Sequence, residues 1–152
     1  MDLGETGPVT TDRDAWDPLL DDLRERRAAA RAMGGEDRLA RHRDKGGGGR
    51  LDARARIDHL LDTGSFREIG TLVGTPAGDV PADGIVTGSG MVDGRPVMIG
   101  AEDFTVLGGS IGPGSTAKRY RIAELAERDR MPLVMLLEGA GHRPPGIGTE
   151  PG

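Results

Sequence analysis

The stretch Gly84-Ile85-Val86-Thr87-Gly88-Ser89-Gly90-Met91-Val92-Asp93-Gly94-Arg95-Pro96-Val97-Met98-Ile99-Gly100-Ala101 decides the fold class. It reads as two apolar strands, Ile85 to Val92 and Arg95 to Ala101, joined by Asp93-Gly94. Both residues of a two-residue hairpin turn must accept a positive φ, and Asp-Gly is the strongest short-range signal for one. Downstream comes a glycine-rich loop over 108–114, then helical spacing from about Ser115 to Arg130, with Ala117, Tyr120 and Leu125 expected inward. Leu133-Val134-Met135-Leu136-Leu137 is too short for a helix and apolar throughout, which suits a strand buried on both faces. Hairpin, helix, buried strand and a second glycine loop make an α/β arrangement. A buried strand needs neighbours, and this sequence supplies too few. The expected domain is therefore incomplete, or completed by another chain.

Upstream, Phe66 to Val73 reads as a further strand and Thr75 to Asp83 as a Pro/Gly loop. A helix starts behind Asp52, which can cap the free amides of Arg54 and Ala55, and it places Ile57, Leu60 and Leu61 on one face before Gly64 stops it. A short helix covers Glu36 to Asp44, and Gly46–Gly49 is a break. A charged helix from Pro18, capped by Asp17, carries Leu19, Leu20 and Leu23 on one side and ends at Gly34-Gly35, a surface or docking element. The predicted organisation is a disordered leader over 1–13, a helical segment over 14–64 and the incomplete domain over 65–152.

Composition narrows the function. With 36% hydrophobic and 3% aromatic residues among 152, the core must be aliphatic, and one Trp and one Tyr leave little for stacking bases. A net charge of -5 discourages a nucleic-acid backbone, although a local basic patch could still hold one small phosphorylated ligand. Cysteine is absent, which removes disulfides, thiolate catalysis and cysteine-based metal sites. No long apolar run occurs, so no membrane partner is expected and a cytoplasmic location is the default.

The chemistry must then sit in loops. The sequence has no Gly-x-Ser-x-Gly, no His-Glu-x-x-His and no phosphate loop. His42, His59 and His142 are widely separated and are expected to face solvent, His142 within the terminal glycine loop. Glu102-Asp103 reads as a capping or turn-stabilising pair. Two loops remain, Phe104 to Ser110 and Glu138 to Arg143, both at carboxyl ends of strands, where open α/β sheets bind ligands. Successive small residues leave backbone N–H groups approachable, and such amides can stabilise an oxyanion without a titratable side chain.

Four motifs in order resemble the carboxyltransferase (beta) subunits of biotin-dependent acyl-CoA carboxylases, over about Lys45 to Arg143. Arg56-Ile57-Asp58-His59-Leu60-Leu61-Asp62-Thr63-Gly64-Ser65-Phe66-Arg67-Glu68 is similar to the opening "ARERIDLLLDPGSFxE". The hairpin resembles "DGVVTGxGxIxGRxV", Asp103 to Ser110 resembles "DFTVxGGSxG", and Leu133 to Arg143 stands in place of "PVIxLxDSGGAR". The resemblance implies a crotonase-like fold of stacked ββα units, here incomplete and preceded by N-terminal helices. It implies transfer of carboxyl from carboxybiotin to the α-carbon of an acyl-CoA such as acetyl- or propionyl-CoA. The implied partners are acyl-CoA and a biotin carboxyl carrier protein with its biotin carboxylase, in a homo-oligomer. Biotin would ride on the carrier, and no metal is implied.

By the same resemblance the backbone amides that hold the enolate map onto Ala140 and Gly141. Gly108, Gly109, Ser110, Gly139, His142 and Arg143 become substrate-binding residues, the first two as shaping elements. The sequence departs from the family where Asp-Ser-Gly-Gly-Ala-Arg becomes Glu138-Gly139-Ala140-Gly141-His142-Arg143, and His142 could crowd or select the acyl group. The biotin side of the site is absent, so the isolated chain is expected to be inactive. Two other readings compete. One is a hydratase or isomerase of the same superfamily, in which Glu138 or Glu102 would act. The other is a non-catalytic subunit that docks into a carboxylase complex.

Overall fold

The computed structural model describes residues 12–45, 47–75 and 80–144. Three helices, α1 (Asp12–Arg31), α2 (Glu36–Asp44) and α3 (Ala53–Leu60), precede a four-stranded sheet made of β1 (Arg67–Ile69), β2 (Ile85–Val92), β3 (Arg95–Glu102) and β4 (Leu133–Leu136). Helix α4 (Pro113–Asp129) connects β3 to β4. The spatial order is β1-β2-β3-β4, antiparallel for the first two pairs and parallel for β3 and β4.

The hairpin forms as its sequence dictates. Asp93 and Gly94 take φ of 49° and 72°, and pairing runs from Val92↔Arg95 to Ile85↔Glu102. Asp62 braces this turn, accepting from the amides of Asp93 and Gly94 at 3.0 and 2.8 Å.

Both faces of the hairpin are covered, which explains its near-continuous apolar sequence. On one face α3 packs Ala53, Ile57 and Leu61 against Val86, Val97, Ile99 and Ala101. On the other α4 lies over Met98 through Leu125 and Ala126. Gly100 permits this approach: a Cβ there would stand 2.9 Å from Met135 Sδ and 3.1 Å from Ile122 Cδ1. Asp52 caps α3 as expected, accepting from Ala55 N–H at 3.0 Å, and Arg43 pairs with the same carboxylate at 2.6 Å. Burial pushes the Asp52 pKa up, but the Ala55 amide and Arg43 outweigh it and hold the carboxyl below its usual range.

Several expectations are corrected. Helix α1 begins at Asp12, with Pro18 inside it and not at its start; Trp16 and Leu19 are more than half exposed, as expected of a surface element, while Ala30 is buried. The remainder of the expected 1–13 leader lies outside the described residues. β1 stops at Ile69 because Gly70 adopts φ 75°, which breaks the extended run expected to reach Val73. In α4 the inward positions are Ser115, Lys118, Ile122, Leu125 and Ala126, while Ala117 and Tyr120 face outward. A reading by apolarity misses that face because a serine and a lysine occupy it. β4 pairs only with β3 among the described strands and is partly exposed, with Leu133 39% accessible.

Candidate functional site

β3 and β4 run parallel as neighbours, so their carboxyl ends, Glu102 and Leu136, deliver two loops side by side. The first contains a short 3-10 turn, Leu107–Gly109, in which Gly108 and Gly109 take φ of 65° and 64°. The second runs from Leu137 to Arg143. Backbone hydrogen bonds stitch them together: Ala140 N–H donates to Gly108 at 3.0 Å, Ile111 N–H to Gly141 at 2.8 Å, and Arg143 N–H to Ile111 at 2.9 Å. Gly139 and Gly109 pack backbone to backbone, where a Cβ on Gly139 would stand 2.5 Å from the Gly109 carbonyl. The structure therefore brings together Gly108, Gly109 and Ser110 with Gly139, Ala140, Gly141, His142 and Arg143.

Their roles divide once bonds are counted. The Ala140 amide is committed to Gly108. The Gly141 amide has no acceptor among the described residues. Gly141 takes φ 88°, and a Cβ added there would meet nothing within 4 Å, so the space beside its α-carbon is open. Only glycine adopts that conformation without strain. His142 is exposed, and its backbone forms a parallel bridge with Ile111. Arg143 points inward: its guanidinium lies 2.5 Å from Asp83, donates to the Ser110 carbonyl at 3.0 Å and to Ser110 Oγ at 3.2 Å. Arg143 thus ties the second loop to the first from beneath, and Ser110 is one of its holds.

Sequence reasoning missed the lattice that fixes the loop bases. Glu138 starts the second loop. Its amide donates to the Glu102 carboxylate, and its own carboxylate is paired with Arg50 and, at 3.0 Å, with Arg56. Arg119 holds Glu102 at 2.5 Å, and Arg56 also donates to the Glu102 carbonyl. Both glutamates considered as acid–base groups are thus engaged in ion pairs, which leaves the hydratase or isomerase reading without support. Asp103 stabilises a turn, as expected for one of the pair, accepting from Thr105 N–H and Oγ1 at 2.9 and 2.5 Å. Burial raises its pKa against the lowering effect of those two bonds.

His42, expected at the surface, is 4% exposed, 3.6 Å from Glu138 and stacked obliquely on Phe104. A histidine on a short basic helix carries no sequence signal of burial. The arginines left a faint one, because Arg56 lies beside inward-facing Ile57.

The family model for the carboxyl transferase domain matches residues 44–150. The carboxyltransferase subunit of propionyl-CoA carboxylase from Haloferax mediterranei is 41% identical over 131 residues, covering 82% of this chain and 25% of that protein. The beta4 subunit of a biotin-dependent long chain acyl-coenzyme A carboxylase from Mycobacterium tuberculosis is 44% identical over 127 residues, with 82% and 24% covered. Among solved structures, transcarboxylase 12S with methylmalonyl-coenzyme A and methylmalonic acid bound superposes with a TM-score of 0.77 at 33% identity, over 93% of this chain and 28% of that one. These structural neighbours are crotonase-fold carboxyltransferases, and the α/β sheet described above is part of that fold. The chain spans about a quarter of the length of the curated relatives it matches.

Proposed function

Because this chain belongs to the carboxyl transferase domain family, we propose that the complete protein transfers a carboxyl group from carboxybiotin to the α-carbon of an acyl-CoA, and that this chain contributes the thioester side of the site. The observation that carries the reading is the Gly141 amide, which has no acceptor among the described residues and lies, in a glycine conformation, in the loop that follows the carboxyl end of a parallel strand. Removing the α-proton, which the biotin nitrogen would accept once it has released its carboxyl, places negative charge on the thioester oxygen. A preorganised N–H aimed at that oxygen lowers the barrier without a protein acid–base pair. Ala140 then acts as a brace, since its amide holds the first loop, and Arg143 and Glu138 position the second.

Biotin, carried by a partner protein, supplies the carboxyl group, and no residue here is assigned to hold it. The reading includes a biotin carboxyl carrier protein with its biotin carboxylase, assembly of several copies of the complete protein and a cytoplasmic location. Residues 65–152 form the first part of the acyl-CoA domain, and residues 14–64 form the helical segment that braces it. Hexamer assembly is described for the 12S relative, which supports the oligomer.

The test supplies the complete protein with carrier, biotin carboxylase, ATP and radiolabelled bicarbonate. Label should enter acid-stable product with acetyl- or propionyl-CoA. Hydration or hydrolysis of acyl-CoA with no incorporation would overturn the reading.

A further inference from the structure

The parallel pairing of β3 with β4 stops at Ala101↔Leu136, and beyond it the two chains leave the sheet as the loops that carry Gly108 to Ser110 and Gly139 to Arg143. Arg56 lies across this point. Its guanidinium donates to the carbonyl of Glu102, the last residue of β3, and at 3.4 Å to the carbonyl of Leu136, the last residue of β4. It also pairs at 3.0 Å with the carboxylate of Glu138, which starts the second loop. Arg56 Nε has no hydrogen-bond partner among the described residues, so the two terminal nitrogens make all three contacts.

The arginine reaches the strand ends from outside the sheet. Asp52 caps its helix, and the neighbouring Ile57 is buried in the core beneath, so the stem is anchored before the side chain begins. The side chain itself is 19% exposed. A planar fork can serve acceptors that lie in different directions, whereas a lysine ammonium is a single point charge. What the fork holds is a close fit. The two loops are joined by the 3.0 Å bond from Ala140 to Gly108, and Gly139 packs on the Gly109 backbone too tightly to admit a Cβ. An amide stabilises developing charge only when it is aimed in advance, and a misplacement of about 1 Å can cost about 10²-fold in rate.

We propose that Arg56 is a positioning residue: by holding both strand ends and Glu138 on one guanidinium, it sets the separation of the two loops and with it the aim of the Gly141 amide. The effect on catalysis rests on the reading of the preceding subsection; the setting of the loops does not. Arg54 provides the matched comparison. It stands two positions earlier on α3, is 23% exposed, and pairs with Glu68 at 2.9 and 3.0 Å, with no hydrogen bond or ion pair to either loop among the described residues.

Two measurements on Arg56→Gln, Arg56→Lys and Arg54→Gln test the proposal. The first is amide hydrogen exchange of Ala140 in the full chain, because its bond to Gly108 reports the loop separation. Exchange should quicken about tenfold in both Arg56 variants and keep the wild-type rate in Arg54→Gln, which loses a comparably buried ion pair. The second is carboxylation of acyl-CoA by the complete protein. In Arg56→Gln kcat should fall about 10–100-fold with KM for acyl-CoA within about twofold of wild type, while Arg54→Gln keeps its kcat. Arg56→Lys should stay close to Arg56→Gln, because charge without the fork cannot span both carbonyls. Should Arg56→Gln fail to fold, Arg56→Lys carries the same two predictions. Full rescue by lysine, an Ala140 exchange rate unchanged in the Arg56 variants, a wild-type kcat in them, or an equal loss of kcat in Arg54→Gln overturns the proposal. Failure of the carboxylase reading is separately visible: a wild-type complete protein that carboxylates no acyl-CoA removes that function, and the exchange measurement still decides whether Arg56 sets the loops.

Discussion

Arg143 and Asp83 form an ion pair that is almost wholly withdrawn from water, with side-chain exposures of 2% and 0%. Such a pair gains little over a well-packed apolar substitute, but removing one partner leaves an uncompensated buried charge. Arg143→Met should therefore destabilise the chain by about 3–5 kcal/mol, measured by urea unfolding, whereas restoring neutrality with a second change, Asp83→Leu, should recover part of the loss. A single variant as stable as wild type would contradict the clamp. The site was legible at this scale to a limited depth. Small residues at 139–141 announced an amide site, but which amide is free depends on a hydrogen bond from Ala140 to Gly108 across a gap of 32 positions, and no local pattern encodes it. The burial of Arg143 was equally hidden, because its partner Asp83 sits 60 positions away.

The hairpin was the most legible element, because Asp93-Gly94 states its turn chemistry in two adjacent residues. Its brace was not, since Asp62 arrives from the end of α3. Asp62→Ala should cost about 1 kcal/mol in chemical denaturation, and Asp62→Asn less, because a side-chain carbonyl can keep one of the two bonds. Equal stability of all three proteins would remove Asp62 from the account. Helix α4 was placed within two residues of its ends, yet its phase was misread. Its inner face carries Lys118, which donates to the carbonyls of Ile85 and Asp83 at 2.8 and 3.3 Å, so the position pointing at the sheet is charged. Apolar periodicity finds a face only when burial and apolarity coincide. β4 was legible as a strand, but its edge position was not, since neighbours are a property of the sheet.

At the scale of the molecule, Lys118 links packing to pH. Burial lowers its pKa from 10.5 to about 8, against the raising effect of Asp83 and other acids. Between these values the unfolded chain binds the proton that the folded chain has released, so stability rises with pH across that window. The rise is at most about 3 kcal/mol. Urea midpoints of the chain from pH 7.5 to 10.5 should increase, and the increase should vanish in Lys118→Met; a slope that persists in the variant assigns it elsewhere. The fold class was readable because it rests on one hairpin and one short apolar strand, each with a local signature. The site's working order was not, because it depends on how two loops from adjacent strands share their hydrogen bonds. The central claim is that the Gly141 amide holds the developing oxyanion. It is tested most directly by replacing that single N–H with oxygen in the complete protein, through a backbone ester at position 141, and measuring carboxylation. The account predicts that kcat falls about 10²–10³-fold while acyl-CoA affinity is unchanged; a kcat within about threefold of wild type would contradict it.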